Sequence, residues 1–218
     1  MRADLMCLWC CLLPVLATAQ SPSPSIPKHD AAVTLGWAGA EYKIPSYDTW
    51  RGTLLLGARG GLYWTEHLKT EVQAAWMDSR DAEVFEDIEH NGGSTYALFD
   101  FRARDVRVGV IQVYQFGHNQ WVHPYVGAGV DFIARTTSRD RAEQRRTIYL
   151  PNPNQNQNLP ITIPALSERN TETFVQPTVK TGLKMYVKER VFFDTEFKLG
   201  FARDVEHITW NIGVGFDF

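Results

Sequence analysis

The last dozen residues, 207–218 (HITWNIGVGFDF), constrain the fold more than any other stretch. Ile208, Trp210, Ile212, Val214, Phe216 and Phe218 are large and apolar, while Thr209, Asn211, Gly213, Gly215 and Asp217 are small or polar. A period of two belongs to a strand whose two faces meet different surroundings; 3.6 residues per turn would mix both sets on every side. The segment is also long enough to cross a bilayer core when tilted, with aromatic residues at intervals along it.

The alternation recurs. Val33, Leu35 and Trp37 oppose Thr34, Gly36 and Ala38. Leu54, Leu56, Leu62 and Trp64 oppose Gly57, Arg59, Gly61 and Tyr63. Leu68, Thr70, Val72, Ala74 and Trp76 oppose Lys69, Glu71, Gln73 and Ala75. Val126, Ala128, Val130 and Phe132 oppose Tyr125, Gly127, Gly129 and Asp131. Val175, Val179, Leu183 and Met185 oppose Lys180, Gly182, Lys184 and Tyr186, and Val191, Phe193, Phe197 and Leu199 oppose Asp194, Glu196, Lys198 and Gly200. Over 96–116 the phase is lost near Asp105, which suggests a long strand, continuous or carrying a bulge. Links between segments alternate: long at 40–50, tight at 65–67, long at 78–94, short at 117–123, very long at 136–172, tight at 188–190. Only the final long position, 204–206, is short. Short turns alternating with long loops are what barrel insertion produces. The sequence therefore predicts an all-β fold, an eight-stranded antiparallel up-and-down transmembrane β-barrel over 31–218 with both termini periplasmic.

Arg2, an apolar run from Leu5 to Ala17 and Ala17-Thr18-Ala19 read as a cleaved signal peptide over 1–19. The Pro/Ser-rich stretch 20–30 reads as a flexible periplasmic lead-in. Cys7, Cys10 and Cys11 all fall in the leader, so a mature chain offers no disulfide, thiol nucleophile or thiolate metal ligand. A net charge of −3 and a pI near 6.1 exclude the uniform basic field of a nucleic-acid binder. A hydrophobic fraction of 44% and mean hydropathy of −0.27 resemble a soluble protein, but a small barrel gives the same values because only alternate residues face lipid.

Three stretches carry a family resemblance: Gly60-Gly61-Leu62-Tyr63-Trp64-Thr65-Glu66-His67-Leu68, Pro124-Tyr125-Val126-Gly127-Ala128-Gly129-Val130-Asp131-Phe132, and the ending on Phe218. They are similar to the strand–turn–strand signature, the mid-barrel strand and the terminal strand of OmpA/OmpX-like small outer-membrane β-barrels. The resemblance implies a bacterial outer-membrane location and Phe218 as the signal read by the barrel assembly machinery. It also implies outer-membrane lipids and lipopolysaccharide as partners. With the chain stopping at Phe218, no periplasmic domain is expected, and no surface ligand is named by the sequence.

An eight-stranded barrel has an interior that side chains can fill. The inward set contains Arg59, Lys69, Glu71, Asp131, Lys180, Lys184, Asp194, Glu196 and Lys198, with both signs in similar numbers. Buried charges must pair, so an internal charge network that fills the lumen is expected. Inward glycines leave room for the alternative, a low-conductance porin for ions or very small solutes. Arg139, Arg141, Arg145 and Arg146, with Arg135, enter the longest link and are candidates for lipopolysaccharide phosphates, which arginine matches bidentately.

A lipid-modifying enzyme is the third reading. Ser46, Ser79, Ser94, Ser138 and Ser167 all fall in expected loops, and His90–Ser94 with Asp87 is the one local grouping of the needed types. The lipid A deacylase family carries a His-x-Ser-Asn pattern that this chain lacks. No enzyme, cofactor or metal centre is expected.

Overall fold

The computed structural model describes residues 28–44, 47–79, 82–90, 93–117, 121–149, 158–201 and 205–218. The stretch expected to be a signal peptide, the expected lead-in up to residue 27 and nearly all of the Asn/Gln-rich tract at 152–158 lie outside the described residues.

The strands are β1 (His29–Ile44), β2 (Tyr47–Tyr63), β3 (Leu68–Asp78), β4 (Ala82–His90), β5 (Gly93–Gln115) and β6 (Val122–Arg141). They continue with β7 (Gln144–Tyr149), β8 (Asn158–Ile163), β9 (Leu166–Tyr186), β10 (Val191–Phe201) and β11 (Val205–Asp217). Neighbours run β3-β2-β1-β11-β10-β9-β6-β5, and β5 pairs back onto β3, so eight antiparallel strands close a ring. Closure satisfies every ladder within the ring and leaves no edge, which a sheet in hydrocarbon requires. The terminal strand is the seam: Trp37 pairs with Trp210 and Ala31 with Phe216, while β10 lies on its other side. At the end carrying the termini the turns are tight, with Trp64 N–H donating to the Leu68 carbonyl and Val187 N–H to the Val191 carbonyl. Gly117 supplies the turn after β5 with φ of 86°, a backbone that favours glycine.

On the outer wall, Val33, Leu35, Leu54, Leu56, Val72, Val108, Val110, Val130, Val179, Phe193, Ile212 and Val214 are all exposed. A continuous apolar belt of this kind has no place in water and marks a lipid contact. Aromatic residues bound it: Trp37, Trp76, Phe132 and Trp210 on one rim, Trp64, Tyr114, Phe116, Trp121 and Phe218 on the other. From Leu54 to Trp64, at ~3.3 Å per residue and ~40° tilt, the belt is about 25 Å tall, the height of a barrel's apolar band. An arginine at Val110, inside the belt, should cost about 2–4 kcal/mol in unfolding titrations, against about zero at the exposed Glu89 on β4, beyond it. Equal costs would misplace the belt.

Beyond the upper rim the structure corrects the sequence reading. The link at 40–50 is a continuation of β1 and β2 paired to Ile44 and Tyr47. The link at 78–94 holds β4, which forms a hairpin with β5 through His90 and Gly93. The described residues of the link at 136–172, expected to be irregular, are the end of β6, the paired β7 and β8, and the start of β9. β1 also begins at His29, two residues before the boundary at Ala31.

β5 shows why these strands are hard to read. It pairs with β6 from Asp100 to Gln115 without a register shift, so the bulge offered as one explanation of the lost phase at Asp105 is absent. Below Asp105, Val106, Val108, Val110 and Tyr114 point outward to lipid. Above it, Tyr96 still points outward, but Phe99, Phe101 and Ala103 point inward and are buried. The strand keeps its pleat while its surroundings change from hydrocarbon to water, so the apolar residues change sides. There Ala38, Ala40, Tyr42, Leu55, Met77, Val84, Phe99, Phe101 and Ala103 form an apolar core inside the barrel.

Candidate functional site: the lumen

Alternate residues of eight strands point inward, and the lumen is layered. In the layer nearest the termini, Lys69 Nζ donates to Asp30 Oδ2 at 2.7 Å and lies 2.9 Å from Glu71 Oε2. Lys184 reaches Asp217 Oδ1 at 2.6 Å and Asp30 Oδ2 at 3.1 Å. Tyr63 O–H donates to Asp30 at 2.9 Å, and Tyr186 O–H donates to Asp217.

The middle layer is the densest. Arg59 donates to Glu196 Oε2 at 2.9 Å and to Asp194. Lys180, whose side chain has no solvent exposure, donates to Glu196 at 2.8 Å and to Glu71. Gln73 and Tyr125 join through Glu196, the tyrosine oxygen lying 3.2 Å from the carboxylate. These strands place cations against carboxylates because β2, β3, β9 and β10 all carry charges at inward positions of the same levels.

In the upper layer Lys198 pairs with Asp131 at 2.7 Å, and Arg107 with Asp105 at 2.8 Å. Arg135 grips Asp105 with Nε at 3.1 Å and Nη2 at 3.2 Å. Its guanidinium also lies over the Tyr42 ring, 4.5 Å from the centroid, where the charged layer meets the apolar core. Arg107 Nε and Nη1, both His207 ring nitrogens, Thr209 Oγ1 and Asn211 Oδ1 have no hydrogen-bond partner among the described residues. Arg107, His207, Thr209 and Asn211 border a cavity of about 30 Å³, room for water to complete those bonds.

All nine expected lumen residues thus lie inside the barrel in ion pairs. Asp30, Asp217, Asp105, Arg107 and Arg135 belong to the same layers but were absent from the expected set. Asp30 sits two residues into β1, within the stretch read as lead-in, and Asp105 and Arg107 sit at the apparent phase break. Holding a strict period of two from Ile111 and Val113 down to residue 97 finds both of the latter.

The inward glycines lie against side chains of neighbouring strands. A side-chain carbon at Gly61 would strike Asp30, at Gly109 Asp131 and at Gly213 Asp194. At Gly182 it would strike the Tyr125 ring, and at Gly215 the Phe192 ring. The space these glycines create is filled by carboxylates and aromatic rings from neighbouring strands.

The four arginines of the longest link do not form one patch. Arg139 and Arg141 turn inward onto Glu86, at 3.2 and 3.6 Å, and Arg139 stacks on Phe99 at 4.6 Å. Arg146 lies over the Tyr96 ring at 4.7 Å, and Arg145 is exposed. Outside the barrel, just past the belt, Arg102 and Arg104 hold Asp78 at 2.7 and 3.1 Å. Hydrogen bonds from Arg102 first, then Arg104, hold its carboxyl below the usual carboxylate range. Of the serines, Ser79 is buried, accepting the Ala103 N–H at 2.8 Å. Ser167 donates to Asp140 at 2.7 Å. Phe218 is exposed beside Phe216 and His29 at the terminal rim.

Solved structures with a similar fold include Ail, the attachment invasion locus protein of Yersinia pestis (14% identity, TM-score 0.47, 88% of this chain and 99% of that chain). OprG from Pseudomonas aeruginosa aligns at 11% identity with a TM-score of 0.49, covering 88% of this chain and 97% of that one. Neisserial surface protein A aligns at 14% identity and a TM-score of 0.48, covering 86% and 95%. No curated protein matches the sequence. The model of the family described as outer membrane protein beta-barrel domain matches residues 10–218. The closed ring, the lipid-facing belt and this match together place the chain in the bacterial outer membrane, as a member of the outer membrane protein β-barrel domain family.

Proposed function

We propose that the protein is a closed outer-membrane barrel that acts through its outer surface and not as a conduit or an enzyme. The observation that carries this reading is the stack of ion pairs across the lumen, capped by the apolar core around Tyr42, Phe99 and Phe101. An ion crossing the bore has to displace paired charges in three layers and then leave water altogether among aromatic rings. Each step is costly in a low-dielectric interior. The carboxylates that catalysis would use, Glu71, Asp194 and Glu196, are engaged by Arg59 and Lys180. In this reading the end with the tight turns and both termini faces the periplasm. The β4–β5 and β7–β8 hairpins stand outside the cell, where partners are met.

Single-channel recording in planar bilayers tests the proposal, with folded protein identified by its heat-modifiable migration. Wild type is expected to be silent. A double replacement, Tyr42→Ala with Phe101→Ala, removes the cap and should raise the frequency of small openings. Stable steps from wild type that change size with Arg59→Ala would establish a channel and end the closed-barrel reading.

A further inference from the structure

The outward face of β3, β5, β6 and β9 changes chemistry in rows as it leaves the belt. The last belt row is Trp76, Val106, Ala134 and Thr173, each opposite the next across adjacent strands. The following row is Asp78, Arg104, Thr136 and Thr171. One step further come Arg102, Ser138 and Arg169, again directly opposite one another. Carboxylates of Asp100 and Asp140 appear only in the row beyond. Among the described residues of these two rows, three guanidiniums and three hydroxyls therefore share one outward surface with the carboxylate of Asp78. Arg102 and Arg104 keep 43% of their side chains exposed while holding Asp78. Thr136 and Thr171 hydroxyls lie 3.0 Å apart across the strands.

Position selects the ligand. Two residues along a tilted strand rise about 5 Å, so the guanidiniums sit about 5–10 Å above the hydrocarbon edge, at headgroup depth. A planar guanidinium matches a phosphate with two parallel hydrogen bonds, and neighbouring hydroxyls supply further donors. We infer that Arg102, Arg104 and Arg169, with Thr136 and Ser138, form a binding surface for the phosphorylated headgroup of an outer-leaflet glycolipid. This rests on the outer-membrane placement and is independent of whether the lumen conducts. It moves the phosphate contact from Arg139, Arg141, Arg145 and Arg146 to a different face of the barrel.

The test is native mass spectrometry of the full barrel released from phosphatidylcholine nanodiscs. The probes are bisphosphorylated lipid A, the same lipid with both phosphates removed, and inorganic phosphate. Wild type should retain the bisphosphorylated lipid at least about tenfold better than the dephosphorylated one, the scale of one charged hydrogen bond. R102Q/R104Q/R169Q should lose that preference while folding normally in phosphatidylcholine, and R145Q/R146Q should keep it. Replacement of the three arginines by lysine should retain part of it. Equal retention of both lipids by wild type overturns the proposal without any variant. Loss of preference in R145Q/R146Q, or inorganic phosphate competing as well as the lipid, overturns it too.

Discussion

Lys180→Met will lower the unfolding free energy by about 3–5 kcal/mol, the usual cost of leaving buried charges without a partner. Lys180 is the only cation that touches both Glu71 and Glu196 through a direct hydrogen bond among the described residues, and its side chain is wholly buried. Methionine fills a similar volume but leaves two neighbouring carboxylates facing each other. Urea titration of barrel folded into lipid vesicles, followed by tryptophan fluorescence, gives the number. Adding Glu71→Gln removes one of the stranded charges, so the double variant should recover about 1–2 kcal/mol relative to the sum of the single costs. Strict additivity would mean that Lys180 is not coupled to Glu71.

Gly129→Val will do comparable damage by a different route. A side-chain carbon at Gly129 meets the Val110 carbonyl oxygen and the Ile111 Cα across the β5–β6 ladder. Both are backbone atoms and cannot swing aside, so the strands would have to part at the centre of a closed ring. The expected loss is about 3 kcal/mol or more, the upper range for overpacking, with failure to reach the heat-modifiable form in part of the protein. Gly60 is the matched control on the outer face, because a carbon there meets only the Asp30 carbonyl at 3.8 Å. Gly60→Ala should fall within about 0.5 kcal/mol of wild type. If both positions tolerate a side chain, close approach of β5 and β6 is not what places glycine at 129.

Within the lipid belt the architecture was legible because one rule holds on every strand: apolar residues outside, polar residues inside. Arg59, Glu71, Lys180 and Glu196 could be placed in the lumen from parity alone, although nothing in parity says which charge meets which. Those pairings depend on register between strands far apart in the chain, as with Arg59 and Glu196. Above the belt the rule inverts. Phe99 and Phe101 keep the parity of Arg107 and Asp131 keeps that of Arg139, but apolar and charged residues now share the inner face. Tests for lipid-facing alternation therefore lose the strand where the strand has not ended. The short apolar sides of β4 and β7 suffer the same fate, and Glu86, the inward partner of Arg139 and Arg141, went unrecognised for that reason.

The upward continuation of β5 also fixes a distance. From Arg104 to the hairpin at Gly93 is about 11 residues of paired strand, which at ~3.3 Å per residue and ~40° tilt is about 28 Å. A paired ladder of that height, packed at its base against the apolar core around Phe99 and Phe101, is a spacer and not a tether. Whatever docks at its tip is held at a set height and angle above the hydrocarbon. A hit at Phe85 or Tyr96 is therefore mechanically continuous with the wall in the lipid, and lateral load at the tip is carried by strand pairing instead of being absorbed by slack chain.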